Sequence, residues 1–358
     1  MALLTKNVFI DTQFFMAAEL DFSSGSISSF VELCQKGELA HITNTVVIQE
    51  IEKKIVETIK EGLRGIENFQ KRAGFIRSDK KLSKQAFPVL SEENLKKKGF
   101  ADLKKFLKAS RAKKLDMKKV DPNEILDMFF KQKRPFGAAK KQNEFRDAFS
   151  LISLRQELKD GEKIYVVSND PDHKAFCASN DKFISIESLN TLLDICYKHI
   201  EAKRAAFIEN FLQENKRNII QELESQLKSA DGYNVSTWED AELDEFSIVE
   251  IGAFEPEITH LDDESCRVNF DVTVKLLATV TGPDAVNGYY DKEDGVLYTF
   301  DKVEREEVEE HDFSVELEIG FESDGGELLN PQFILHVEGL HKGIEFGIEE
   351  TPWDDPRM

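Results

Sequence analysis

The stretch IYVVSNDPDH, residues 164–173, decides how this chain is read. Ile164 to Ser168 form a short run of the kind seen in strands buried on both faces of a parallel sheet. Asn169, Asp170, Pro171 and Asp172 follow at once. Turn chemistry explains them, because Asn, Asp and Pro favour turns for local reasons. A metal site at the carboxyl end of a parallel strand explains them equally well. Whether other carboxylates converge there separates the two readings.

Working outward, NVFIDTQFF (7–15) opens with a first strand that Asp11 ends. SSFVELCQKGEL (28–39) reads as a helix closed near Gly37, and LAHITN (39–44) as a second strand. Thr43, Asn44 and Thr45 offer N-caps for VVIQEIEKKIVETIKEGL (46–63). Its Val47, Ile48, Ile51, Ile55 and Ile59 follow helical spacing. Residues 62 to about 135 read as helical, Lys-rich and locally irregular. NEFRDAFSLISLRQEL (143–158), capped by Asn143, reads as a further helix. After the opening strand come a short helix HKAFCASN, a strand KFISI and a helix SLNTLLDICYKHI. Strands that alternate with helices predict a mainly parallel α/β sheet.

Residues 199–232 read as a charged helical connector. Beyond Gly232 the period changes to two. VNFDVTVKLLATVTG, GVLYTF, DFSVELEIGFE, FILHVEGL and KGIEFGIEE predict an antiparallel β domain over 233–358, a sandwich or a curved sheet. The charge divides in the same place. From Tyr233 onward there are 34 acidic against 7 basic residues, a net charge of −27. Lys53 to Arg146 instead carries 27 basic against 12 acidic, or +15. Clustered Lys and Arg suit a polyanion and the acidic part would repel one, so the two parts are expected to do different jobs. Four scattered cysteines without CxxC spacing fit reduced thiols and a cytoplasmic setting better than a disulfide framework. No GxGxxG, Walker-type loop, HExxH or GxSxG motif is present.

Ligands of α/β sheets gather at the carboxyl ends of the strands. Asp11 and Asp170 with Asp172 stand there, and Glu50 and Asp147 lie in early turns of helices joined to the same layer. Each has an ordinary reading. Asp11 caps a helix, Glu50 is solvated, Asp147 favours the helix dipole, and Asp170 and Asp172 form a turn. Glu144 competes with Asp147 as a ligand. His173 has the wrong chemistry for such a site and reads as a surface residue. Clustered carboxylates repel one another unless cations neutralise them, and oxygen-only ligands suit Mg2+ or Mn2+.

In this order, VFIDTQFF, VVIQEIEKK, NEFRDAFSL and VVSNDPDHKAF resemble the PIN-domain nucleases over roughly residues 5–195. The resemblance implies a PIN-like domain over 1–198 with a basic helical insertion at about 62–140. It implies metal ligands Asp11, Glu50, Asp147 and Asp170, with Asp172 in reserve. Mg2+ or Mn2+ is the implied cofactor and hydrolysis of single-stranded RNA the implied activity. Thr12, Ser168 and Asn169 fall where the family places supporting polar groups, and Lys140, Lys141 and Arg146 suit phosphate contacts. A DNA flap nuclease and a non-catalytic scaffold are the alternatives. The long insertion and the acidic domain depart from the small toxin-type members. A toxin or antiviral defence role, a protein partner or ligand for the acidic domain, and a homodimer remain open expectations.

Overall fold

The computed structural model describes residues 2–351 except 24, 79, 88–89, 137–143, 293–295 and 325–326. It divides into two compact units, residues 1–200 and 201–358. In the first, β1 (Asn7–Ile10) leads through α1 (Thr12–Ala17) and α2 (Gly25–Lys36) to β2 (Ala40–Asn44). The long α3 (Thr45–Arg72), α4 (Gly74–Ser78), α5 (Lys80–Ala86) and α6 (Glu92–Ala109) follow, then β3 (Lys113–Leu115) and α7 (Pro122–Phe130). The unit closes with α8 (Phe145–Glu157), β4 (Ile164–Val167), α9 (Pro171–Ala178), β5 (Phe183–Ile186) and α10 (Leu189–Ile200).

Its five strands are all parallel, in the order β3-β2-β1-β4-β5. The chain builds outward from β1 on one side, then crosses back to place β4 on the other. The reversal falls between β1 and β4, where open α/β sheets form a crevice at the strands' carboxyl ends. Val8, Phe9, Ile10 and all of Ile164 to Val167 are at most 2% exposed, as strands covered on both faces must be.

Asn44 is fully buried at the junction of β2 and α3. Its Oδ1 accepts from the backbone N–H of Val47 at 3.0 Å, and its Nδ2 donates to Ser150 Oγ of α8 at 2.7 Å. One side chain thus caps α3 and ties it to α8. On α6, Gly99 lets α3 approach closely, since a Cβ there would meet Ile55 Cγ2 at 2.6 Å.

The basic stretch differs from its sequence reading in one respect. Within its helices it holds an unforeseen strand, because Lys113–Leu115 pairs in parallel with Ile42–Asn44 as the edge strand β3. Three residues with two lysines carry no period of their own, and the neighbouring strand's open edge decides their conformation. Among its phenylalanines, Phe106 and Phe136 are buried, whereas Phe130 is 77% exposed. Burial pushes the Cys34, Cys177 and Cys196 thiols up to about 12.

The second unit begins with α11 (Ala202–Lys228) and continues through β6 (Gly232–Asn234), β7 (Glu242–Ile251), β8 (Glu257–Leu261) and β9 (Ser265–Pro283). The hairpin β10 (Tyr289–Asp291) and β11 (Val296–Tyr298) precedes β12 (Lys302–Asp324), β13 (Glu327–Val337) and β14 (Ile344–Phe346). One five-stranded antiparallel sheet dominates, ordered β13-β12-β9-β7 with β8 also paired to β9. In β9 every second residue from Cys266 to Val280 is buried. The stretch read as a connector belongs to this unit. Ile208, Phe211, Leu212, Ile219, Leu223 and Leu227 of α11 are buried, Phe211 packs edge-on against Phe333, and Gln226 Nε2 donates to the Leu335 carbonyl at 2.9 Å. The acidic run Lys302–His311 is also unforeseen as a strand. It has no apolar alternation, and pairing with Val274–Pro283 of β9 extends it.

Two outcomes are expected. Asn44→Ala lowers the unfolding free energy of the first unit by about 2–4 kcal/mol in urea denaturation, one part for the lost cap and one for the buried Ser150 hydroxyl left without its partner. Iodoacetamide at pH 8 modifies Cys34, Cys177 and Cys196 of the native chain on the order of a thousandfold more slowly than those of the unfolded chain, as followed by peptide mass spectrometry.

Candidate active site

Asp11 leaves the sheet directly after β1, its backbone N–H donating to the Val167 carbonyl at 3.0 Å. It has extended backbone and caps α1, with Oδ1 accepting from the Thr12 N–H at 2.7 Å. The capping reading of Asp11 therefore holds, yet it uses only one oxygen. Oδ2 accepts from the Ser168 hydroxyl at 2.9 Å across the reversal between β1 and β4. Ser168 Oγ also accepts the Asp170 N–H at 3.1 Å, so one buried hydroxyl bridges the two strand ends.

Asp170 caps α9 in turn. Its Oδ1 accepts from the N–H groups of Asp172 at 2.6 Å and His173 at 3.4 Å, with Pro171 at the first helical position. Glu50, from the second turn of α3, is held from both sides. Oε2 accepts from the Thr12 hydroxyl at 2.8 Å and Oε1 pairs with Arg146 Nη1 at 2.8 Å. Asp147 follows Arg146 in the first turn of α8.

His173 departs most from its sequence reading. It is not at the surface but 3% exposed, with Nδ1 3.9 Å from Asp11 Oδ2 and Nε2 3.7 Å from Asp147 Oδ1. Three residues after the α9 cap, its ring turns inward beneath the cluster, and the only hint in sequence is its place beside Asp170 and Asp172. Asp172 is buried and ion-paired with Arg134. Asn169 is exposed beside the strand end. Lys140, Lys141 and the expected cap Asn143 lie outside the described residues, and Glu144 occupies the N-cap position of α8.

Side-chain exposure rises from His173 (3%) through Asp11 (14%) and Glu50 (18%) to Asp147 (34%) and Arg146 (59%), so the cluster opens at the start of α8. Burial raises the pKa of Asp11, partly offset by His173, Ser168 and Thr12, while Asp147 adds to the rise. Burial also raises Glu50 against the opposing pull of Thr12 and Arg146, with Asp147 and Asp11 adding to the rise. For His173 burial alone would lower the pKa, but attraction to Asp147, Asp11 and Asp170 outweighs it and the net shift is upward. Asp11, Glu50 and Asp147 thus lie close enough to influence one another, while Asp170 is linked to the group through His173.

Among the described residues, no three His, Cys, Asp or Glu side chains are already arranged to hold a metal ion. Arg146 and His173 instead face the carboxylates that a cation would take. The donor set still fits a divalent cation, because oxygen ligands raised by burial are relieved by added positive charge. Nδ1 of His173 is buried and has no hydrogen-bond partner in the protein.

Residues 8–173 match the PIN domain family. The N-terminal unit carries a PIN domain. The match begins at the first residue of the buried β1 core and ends on His173, so all four carboxylates fall inside it. PIN domains are generally nucleases and typically use divalent metals. No curated protein and no solved structure matches the chain. Among the described residues, no helix is long and apolar enough to cross a membrane.

The raised carboxylates carry a stability consequence. Asp11 binds its proton more tightly in the folded than in the unfolded chain, so stability is lost as pH rises through its folded pKa. In EDTA, Asp11→Asn is therefore expected to raise the thermal midpoint at pH 7.5, with the gain shrinking toward pH 4. A fall at pH 7.5, read by calorimetry, contradicts the assignment of Asp11 as a strained ionised group.

Proposed function

We propose that the PIN domain of this chain is a divalent-cation-dependent endoribonuclease acting on single-stranded RNA. The observation that supports the reading is that Ser168 ties Asp11 to the Asp170 N–H across two adjacent strand ends, with Thr12 holding Glu50 and His173 lying between Asp11 and Asp147. Asp11, Glu50, Asp147 and Asp170 would hold one or two Mg2+ or Mn2+ ions. When bound, such a cation activates water and neutralises the charge that builds on the phosphate.

The chain's own groups prepare that site. Ser168 fixes Asp11 and, through the Asp170 N–H, the start of α9. Thr12 fixes Glu50. Arg146 stands at the open side on Glu50, where a phosphate competes with that carboxylate for a bidentate guanidinium contact. Lys140, Lys141 and Asn169 are further contacts for the strand, and the basic stretch Lys53–Arg146 favours a polyanion in a salt-dependent way. Hydrolysis on this plan leaves a 5′ phosphate and a 3′ hydroxyl. The acidic unit serves as a partner or ligand module that controls the nuclease, as suits a toxin or antiviral defence effector.

The test uses labelled single-stranded RNA and DNA with Mn2+, Mg2+ or EDTA. RNA cleavage in either metal is expected, with none in EDTA and a loss of about a hundredfold or more in the Asp11→Asn, Asp147→Asn double variant. Equal activity in EDTA or in the double variant sinks the nuclease reading, and faster cleavage of DNA transfers it to a DNA nuclease.

A further inference from the structure

His173 has no part in the mechanism above, yet it sits deepest in the cluster. Its ring is almost wholly buried, and Nδ1 has no hydrogen-bond partner. The distances to Asp11 Oδ2 (3.9 Å) and Asp147 Oδ1 (3.7 Å) are both too long for direct hydrogen bonds. A buried ring nitrogen left without a partner is a standing cost, and native folds rarely keep one without use.

We propose that His173 is a nitrogen ligand of the active-site cation, sharing it with Asp11 through Nδ1, and that it tilts the site toward Mn2+ or Co2+ and away from Mg2+. This rests on the proposed nuclease only in taking the carboxylate cluster as a cation site. Two atoms each roughly 2.1 Å from one ion stand no more than about 4.2 Å apart. The 3.9 Å between Nδ1 and Asp11 Oδ2 lies inside that limit, so one ion bridges them with little movement.

The other ring nitrogen supports the same assignment. A metal-binding histidine almost always turns its second N–H toward a carboxylate or carbonyl, which fixes the tautomer. Nε2 lies 3.7 Å from Asp147 Oδ1, whose negative charge favours the proton on that nitrogen and leaves Nδ1, 3.9 Å from Asp11 Oδ2, unprotonated. The ring is also well placed by its backbone, since Asp170 and Pro171 anchor the turn of α9 that carries it. Imidazole shifts a donor set toward the later first-row metals, whereas Mg2+ keeps to oxygen ligands and gives up its waters reluctantly.

The full chain is made with isotope-labelled histidine, loaded with Mn2+ alone and read by pulsed electron paramagnetic resonance. A nitrogen coupling from the label is expected in the wild type and absent in His173→Asn. Bound Mn2+ without that coupling overturns the proposal, and the wild-type spectrum decides even where the variant fails to fold. By calorimetry, His173→Asn is expected to weaken Mn2+ binding on the order of tenfold and Mg2+ binding less than about threefold. Equal weakening of both ions overturns the proposal, because a residue that only props the fold does not choose between metals. Neither readout depends on RNA cleavage. An inactive chain that shows the coupling keeps the ligand and loses the nuclease, and an active chain without it does the reverse.

Discussion

Everything at the candidate site depends on the parallel pairing of β1 with β4. The two strands are far apart in sequence, and their side-by-side placement brings Asp11 within reach of Ser168. Both strands are buried on both faces, so their register is held by packing as well as by the ladder. A slip of one residue would turn Phe9 and Val166 to the wrong faces and carry Asp11 away from Ser168. The strand register therefore sets where Asp11 and Ser168 meet. Loops alone would give carboxylates much poorer positions, because little packing holds them in place.

The electrostatics are a compromise rather than an optimum. Asp11 and Glu50 have raised pKa values because burial and their acidic neighbours disfavour charge. Ser168, Thr12 and Arg146 answer part of that cost with hydrogen bonds and an ion pair, and His173 sits between the remaining acids. Such strain is what a fold tolerates where charge must later be neutralised by something that arrives.

The second unit follows different physics. β9 runs for 19 residues and pairs along nearly its whole length with β12, so one long hairpin organises the sheet. Trp238 closes over Gly282, where a Cβ would meet the indole Cε2 at 2.5 Å, and its Nε1 donates to the Pro283 carbonyl. The unit's dense negative charge lies mostly on exposed positions of these strands, which keeps acidic residues solvated and leaves the alternating apolar face for the core. Ten of the 23 residues of β12 are acidic. Its strand identity comes from its partner.

The strands with strong local period, the parallel class of the first sheet and the antiparallel class of the second follow from local pattern alone. The positions of Asp11 directly after a strand, of Asp170 shortly after another, and of Glu50 and Asp147 in early turns of helices were legible from the same patterns. Only the tertiary structure decided the rest. Lys113–Leu115 and Lys302–His311 become strands because an open neighbouring edge supplies the hydrogen bonds their own patterns do not ask for. The helix Ala202–Lys228 joins the second unit because its apolar face finds β13. His173 moves from an assumed surface to the heart of the cluster for a similar reason. Exposure along a one-turn polar stretch is set by what packs against it, and Asp11 and Asp147 reach it only through long-range contacts that no local spacing encodes.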